Sequence, residues 1–264
     1  MSGQRVAVIT GGASGIGRAC AARFAQDGYA VAILDTDEAK GEEAVQRIAH
    51  DSDALTRYYP CDVADRLAVQ RVAQAVEHDI GPADVLVTSA ALIPNTESVL
   101  DMDMDRHDRM WQVNYHGTLH ACMAFGRRMR ERGRGAIVTL GSINSLLPLP
   151  LPAYNPGKAA IQRLTQLLAV ELGRHGIRVN SVAPTYVLTE GLQAKIEAGL
   201  RDPAKIMAAH ALDALPDADD IAQAVAFLCS EAASKITGVL LPVDSGWAAA
   251  VSYKTYAGGV PWDA

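Results

Sequence analysis

Thr10-Gly11-Gly12-Ala13-Ser14-Gly15-Ile16-Gly17 follows directly on the apolar run Val6-Ala7-Val8-Ile9 and opens a stretch of helical periodicity that lasts to about Asp27. Four apolar residues in a row read as a strand buried on both faces, as in a parallel sheet. The glycines after it let the chain turn sharply with no Cβ in the way. The helix then starts with free N–H groups facing the turn, and with the positive end of its dipole they make a seat for a pyrophosphate. The expected contacts are Gly11, Ser14, Gly15, Ile16 and Gly17.

Glycine clusters also serve ordinary tight turns, so the surroundings decide. The next apolar run, Ala30-Val31-Ala32-Ile33-Leu34, ends at Asp35, eighteen residues beyond Gly17. A dinucleotide fold places there the carboxylate that accepts from the adenosine ribose hydroxyls. A helix cap or a solvated strand end is the competing role. A third strand near 55–59 leads to Cys61-Asp62-Val63, where Asp62 either takes the adenine amino group or caps the next helix. A fourth, from Asp84, leaves through Thr88-Ser89-Ala90-Ala91, and the small Ser89 and Ala90 let a ribose lie against the backbone.

Strand and helix keep alternating. A helix is expected over about 105–132, apolar on one side except for Asn114, whose amide needs a backbone or water partner if buried. A fifth strand over 135–140 ends in Gly141-Ser142-Ile143-Asn144, a helix runs from around Pro152 or Tyr154 to Arg174, and a sixth strand occupies 177–182. After it the alternation lapses over about 185–216, an insert above the carboxyl edge of the sheet that reads as a substrate lid. One more helix, a final strand over 238–243 and a tail over about 247–264 complete the chain. The expectation is an α/β fold in a single domain spanning 1–264: a doubly wound, Rossmann-type parallel sheet of about seven strands with helices on both faces.

Composition bounds the class. Over 264 residues the hydrophobic share is 49% and no apolar run approaches the length needed to cross a bilayer, so no membrane partner is expected. A net charge of -6 argues against nucleic acid, which needs a basic surface for counterion release. Cys20, Cys61, Cys122 and Cys229 lack metal-ligand spacing, no metal site is expected, and no basic-then-apolar leader precedes the first strand. These point to a cytoplasmic protein with reduced thiols.

Tyr154 and Lys158 stand four apart at a helix start, which brings both side chains to one face. A free phenol, with a pKa of about 10, is a poor base near neutrality, and a nearby ammonium favours its phenolate. Such a tyrosine takes the proton of a carbinol while hydride leaves for a nicotinamide. Ser142, at the tip of the preceding strand, is placed to hold the same oxygen.

These residues together resemble the classical short-chain dehydrogenase/reductases over nearly the whole chain. The matching motifs are Thr-Gly-Gly-x-x-x-Gly-Ile-Gly from Thr10, Asp35, Cys61-Asp62-Val63, Asn114 in Val-Asn-Tyr-His-Gly, Ser142, and Tyr154 through Lys158. The resemblance implies an NAD(P)-dependent oxidoreductase, often a homotetramer, with Asn114, Ser142, Tyr154 and Lys158 as catalytic tetrad. By that analogy Lys158 also holds the nicotinamide ribose and Asn114 positions a water in a proton relay. Asp35, with no basic residue just after it, repels a 2'-phosphate and so prefers NAD.

Three departures stand out. Thr88-Ser89-Ala90-Ala91 replaces the usual Asn-Asn-Ala-Gly. Pro184-Thr185-Tyr186-Val187-Leu188-Thr189 replaces the usual Pro-Gly turn, with Pro184, Val187 and Thr189 still suited to the nicotinamide amide. Pro156 between tyrosine and lysine must lie in the first helical turn, since inside a helix it costs about 3 kcal/mol.

The pocket is expected from Leu92, Ile93, Asn144, Leu146, Leu147, Tyr186, Leu188 and the lid, with Asn144, Tyr186 and Glu190 bonding substrate hydroxyls. The reaction is then the interconversion of a small-molecule secondary alcohol and ketone. A sugar or polyol is favoured because the Pro-Thr-Tyr turn and Asp244-Ser245-Gly246-Trp247 resemble sugar-alcohol members; an apolar cyclic or aryl alcohol is the alternative. Tyr253, Tyr256 and Trp262, on a Gly258-Gly259 stem, either reach a neighbouring subunit's pocket or pack on their own chain. A non-catalytic NAD(H) sensor is the rival from another class, and the Ser142, Tyr154 and Lys158 set speaks against it. Nucleotide-sugar epimerisation needs a larger substrate domain.

Overall fold

In a computed structural model, which describes residues 4–257 and 259–261, the strands are β1 (Val6–Thr10), β2 (Ala30–Asp35), β3 (Thr56–Pro60), β4 (Ala83–Thr88), β5 (Gly135–Leu140), β6 (Ile177–Pro184) and β7 (Leu240–Val243). They form one seven-stranded sheet in the order β3-β2-β1-β4-β5-β6-β7, every neighbouring pair parallel. The chain winds outward from β1 to β3 on one side, then restarts at β4 on the other. That reversal opens a crevice at the carboxyl ends of β1 and β4.

The helices are α1 (Gly15–Gln26), α2 (Glu38–Asp51), α3 (Arg66–Asp79), α4 (Met104–Trp111), α5 (Gly117–Arg132), α6 (Tyr154–Gly173), α7 (Glu190–Glu197), α8 (Pro203–Ala208), α9 (Ala218–Cys229) and α10 (Trp247–Lys254). β1 shows why both faces of the sheet are covered. Val6 and Val8 point into a core with Val69 of α3 and Phe125 of α5, whereas Ala7 and Ile9 point into a second core with Phe24 of α1, Ile48 of α2 and Ile221 of α9. All five β1 residues are buried, as an unbroken apolar run in a parallel sheet requires. No helix among the described residues is long and apolar enough to cross a membrane.

The helix expected over 105–132 is not continuous. Gln112–His116 is wound as a π-helix between α4 and α5, with the Gly117 N–H reaching back to the Gln112 carbonyl. Such a bulge adds one residue to a turn, a change too small to disturb the apolar spacing that revealed the helix. Asn114 sits in it. α6, by contrast, begins as the sequence requires: with Ala153 as cap residue, Pro156 is third in the helix, where its missing N–H has no partner to lose.

Candidate active site

The carboxyl ends of the strands open into a cleft of about 560 Å³. The glycine-rich turn contributes Gly11, Ser14, Gly15 and Ile16; the strand exits contribute Asp35, Asp62, Val63, Ser89 and Ala90; and the segment after β6 contributes Pro184, Tyr186, Val187 and Thr189. Ser142, Asn144, Tyr154 and Lys158 line the same cleft. Of the residues expected to hold the cofactor or carry the chemistry, Gly17 and Asn114 stand outside the lining.

The turn is shaped by contact. A Cβ on Gly17 would lie 2.0 Å from the Gly11 carbonyl oxygen, and one on Gly11 would lie 2.6 Å from the Ala90 amide nitrogen. Gly17 therefore lets α1 close on the turn and meets no ligand itself. Gly15 has a φ of +51°, and the Ser14 side chain makes no capping bond, so the first amides of α1 face the cleft with no side chain of their own chain upon them. That arrangement fits a phosphate group.

Asp35 accepts from the Ala13, Thr36 and Asp37 amides at 3.1, 2.8 and 3.2 Å and has no ion-pair partner among the described residues. Asp62 accepts from Ala64 N at 2.9 Å and from Arg109 at 2.9 Å. Burial works to raise its pKa, yet the Ala64 amide and the Arg109 guanidinium hold it below the usual carboxylate value. The sequence reading missed Arg109, which reaches Asp62 from α4 across 47 residues.

Four side chains form a directed hydrogen-bond chain on the cleft floor. Asn155 Nδ2 donates to Asn144 Oδ1 at 3.1 Å and to the Leu147 carbonyl at 2.7 Å. Asn144 in turn donates to Ser142 Oγ through both its main-chain N, at 3.1 Å, and Nδ2, at 3.0 Å. With both lone pairs of Ser142 Oγ occupied, its proton is left to face the Tyr154 phenol, whose ionised form it favours. Asn144 was expected to hold substrate; its amide is instead committed at both ends to neighbours, and it orients Ser142. Asn155, beside Tyr154 in sequence, gave no signal of this role.

Lys158 is buried, with Nζ donating to the Leu140 carbonyl at 2.6 Å and lying 5.3 Å from the Tyr154 ring centre. Burial brings its pKa down to about 8. Burial likewise pushes the Tyr154 phenol up to about 12, against the smaller opposing effect of the Ser142 bond. This corrects the expectation of a phenol made acidic by its neighbour: removing both groups from water favours the neutral form of each.

Asn114 Oδ1 accepts from Leu92 N at 2.8 Å and its Nδ2 donates to Leu92 O at 3.0 Å, as a neighbouring strand would. The amide thus fixes Leu92 on the cleft wall. Leu92, Ile93 and Tyr186 line the cleft as expected, but Leu149 and Leu151 take the places assigned to Leu146 and Leu147. Leu188 is bridged to Asp217 and exposed, and Glu190 pairs with Arg18 at 2.7 Å instead of waiting for a hydroxyl. At the tail, Trp247 is buried and Lys254 Nζ donates to the Ala208 and His210 carbonyls, tying α10 to its own 185–216 segment. Tyr253 and Tyr256 are exposed, and Gly258 and Trp262 lie outside the described residues.

The chain is similar to known proteins along most of its length. A family model described as enoyl-(acyl carrier protein) reductase matches residues 11–248. Galactitol 2-dehydrogenase of Rhizobium johnstonii is 36% identical over 250 residues, covering 94% of this chain and 96% of the relative. D-threitol dehydrogenase of Mycolicibacterium smegmatis is 38% identical over 245 residues, 92% of each. The solved structure of a short-chain type dehydrogenase/reductase from Mycobacterium ulcerans superposes with a TM-score of 0.89 at 30% identity, over 95% of this chain and 92% of that one. Two further solved neighbours, both 29% identical, with TM-scores of 0.88 and 0.85, hold NADP and NAD+ respectively.

Proposed function

Since the chain belongs to the short-chain dehydrogenase/reductase family, whose members bind a nicotinamide cofactor, we propose that it is an NAD-dependent oxidoreductase acting on a secondary alcohol of a sugar or polyol. The carrying observation is the Ser142–Tyr154 hydroxyl pair on the cleft floor, beside the buried Lys158 ammonium. The polyol reading is supported by the galactitol and threitol enzymes among the relatives.

The residues present fit the cofactor. Gly11, Ser14, Gly15 and Ile16 would hold its phosphates on the open amides of α1, and Asp35 its adenosine ribose. Asp62 and Val63 would border the adenine. Ser89, Ala90, Pro184, Val187 and Thr189 would border the nicotinamide end, with Lys158 on its ribose. When bound, the nicotinamide takes up or gives back the hydride. The chain's own part is proton handling. Tyr154 Oη, as phenolate, takes the carbinol proton in oxidation and, as phenol, returns it to the carbonyl oxygen in reduction, with the Lys158 charge favouring that phenolate against the burial that favours the neutral phenol. The Ser142 proton, already turned toward that position, donates to the substrate oxygen. Asn114 completes the tetrad by fixing the Leu92 wall.

NAD over NADP is supported by the Asp35 carboxylate on the cleft wall with no cation paired to it. Residues 185–216 are read as the lid. Free thiols at all four cysteines agree with a cytoplasmic setting, and the exposed Leu167 and Val170 on α6 agree with assembly into a homotetramer. The test is a spectrophotometric screen with NAD and NADP across polyols, aldoses, hydroxy acids and aryl alcohols. Turnover of polyols with NAD, and a preference for NAD that Asp35→Ala lowers about tenfold, is the expected result. Cofactor binding with no turnover across the panel would leave a sensor, and turnover of aryl alcohols alone would move the substrate to the apolar alternative.

A further inference from the structure

The charges on the cleft wall are unevenly answered. Arg109 has Asp62 at 2.9 Å, and Lys158 lies beside Tyr154. Lys195, on α7, and Arg201, just before α8, line the cleft as well, on the side of Ile93 and Pro94, yet neither pairs with a carboxylate among the described residues. Their partners are main-chain carbonyls. Lys195 Nζ donates to Ile93 O and Pro94 O, each at 3.2 Å, and Arg201 donates to Pro94 O at 3.4 Å and to Leu200 O at 2.7 Å.

Carbonyl dipoles satisfy donors but do not neutralise two positive charges held close together. The crowding is felt: burial, and then the Arg201 charge, draw the Lys195 ammonium below its ordinary pKa. Two like charges gathered without a counter-ion beside Leu92, Ile93, Leu149 and Leu151 repel each other, and an anion that joined them would be attracted by both. The pyrophosphate seat does not supply it, because that seat is the first turn of α1, to which neither Lys195 nor Arg201 is bonded.

We propose that the substrate carries an anionic group, a carboxylate or a phosphate monoester, remote from its reacting carbinol, and that Lys195 and Arg201 receive it. This rests on the alcohol oxidation proposed above and narrows its polyol to a polyhydroxy acid or a sugar-alcohol phosphate. Ser142 and Tyr154 hold the reacting oxygen, and the two cations fix the other end. The guanidinium takes the anion through paired N–H donors and the ammonium adds a point charge.

The test is calorimetric titration of the NADH-loaded protein with galactitol, galactonate and galactitol 1-phosphate, three ligands of one carbon skeleton. At least one anion is expected to bind tenfold or more tightly than galactitol, and the tighter of the two identifies carboxylate or phosphate. Lys195→Gln with Arg201→Gln keeps donors for the Ile93 and Pro94 carbonyls but removes both charges, and is expected to bring that ratio close to one. Lys195→Arg is expected to preserve it, which a merely structural tie would not distinguish. Equal affinity for all three ligands, no binding of either anion, or a preference that survives the double substitution overturns the proposal. Charge-dependent anion binding in a protein that oxidises no alcohol with NAD would instead keep the cation site and remove the reaction.

Discussion

The glycine-rich turn after β1 and the 185–216 segment line one cleft and are held in place differently. In the turn, backbone lies against backbone: added Cβ atoms at Gly11 and Gly17 would meet main-chain atoms at 2.6 and 2.0 Å. In the 185–216 segment, α7 and α8 are short and largely exposed, and side chains tie them down. Lys195 and Arg201 reach the carbonyls of 93 and 94, Glu190 reaches Arg18, and Lys254 reaches back from α10. The first wall is a fixed mould; the second is a set of separable ties, as suits a part that admits and releases substrate.

The largest effect expected lies between the two walls, at the floor. Tyr154→Phe removes the only phenol in the Ser142 hydrogen-bond chain and is expected to lower kcat/KM by about 1000-fold, within the usual range for a lost acid–base group. NADH affinity, measured by fluorescence titration, should stay within about threefold, since the phenol is one contact among many. Retention of a tenth or more of the turnover would remove Tyr154 from the chemistry.

The mould is tested next. Gly17→Ala forces a Cβ against the Gly11 carbonyl and is expected to destabilise the protein by about 3 kcal/mol, the upper range for overpacking. Gly191→Ala, at the start of α7, meets nothing nearer than Thr189 Oγ1 at 3.9 Å and should stay within about 0.5 kcal/mol. Urea unfolding of the pair reads the contrast directly. Equal losses would mean that the two walls are equally rigid.

That contrast also explains what the sequence made legible. Glycines, an apolar run and a terminal Asp35 carry their own conformational demands, so the turn, the strand order and nearly every cleft residue on that wall follow from residue type and local order. Pro156 is similar, because proline admits few places in a helix. What stayed hidden depends on partners far along the chain: Arg109 on Asp62, Lys195 on Ile93 across 102 residues, and the Asn155 to Asn144 bond. The commitment of Asn144 to Ser142 and Asn155 is hidden for the same reason: a polar side chain near a site looks available until its neighbours are known.

The floor offers a pH test. Folded, Lys158 releases its proton near pH 8, well below its ordinary 10.5, so between those values the unfolded chain holds more protons than the folded one. Stability then rises with pH across that window, by up to about 1.4 kcal/mol per unit. Lys158→Met lacks this contribution, so the wild-type minus variant difference in unfolding free energy should climb from pH 8 to 10.5 and level off above. Tyr154 acts oppositely above pH 10, where the unfolded phenol ionises and the folded one, held up to about 12, does not. Being present in both proteins, it cancels in the difference. A flat difference curve would mean that the ammonium is solvated in the native protein.

The smallest effect expected concerns the one ion pair that joins the two walls among the described residues. Arg18, in the first turns of α1, and Glu190, at the start of α7, meet at 2.7 Å, but the glutamate side chain is 69% exposed. Arg18 holds the Glu190 carboxyl below its usual pKa, and solvent screens most of that interaction. Arg18→Gln should therefore change unfolding free energy by no more than about 0.5 kcal/mol. A tie between a fixed wall and a movable one is read better in kinetics. With the pair removed, the 185–216 segment opens more readily, so the dissociation rate of NADH, followed by stopped-flow fluorescence, should increase by about two- to threefold, and raising the salt concentration should erase the difference between wild type and variant. An unchanged rate at low salt would show that the movable wall is held by its other ties, those of Lys195, Arg201 and Lys254, and that the cofactor leaves without waiting for this pair to break.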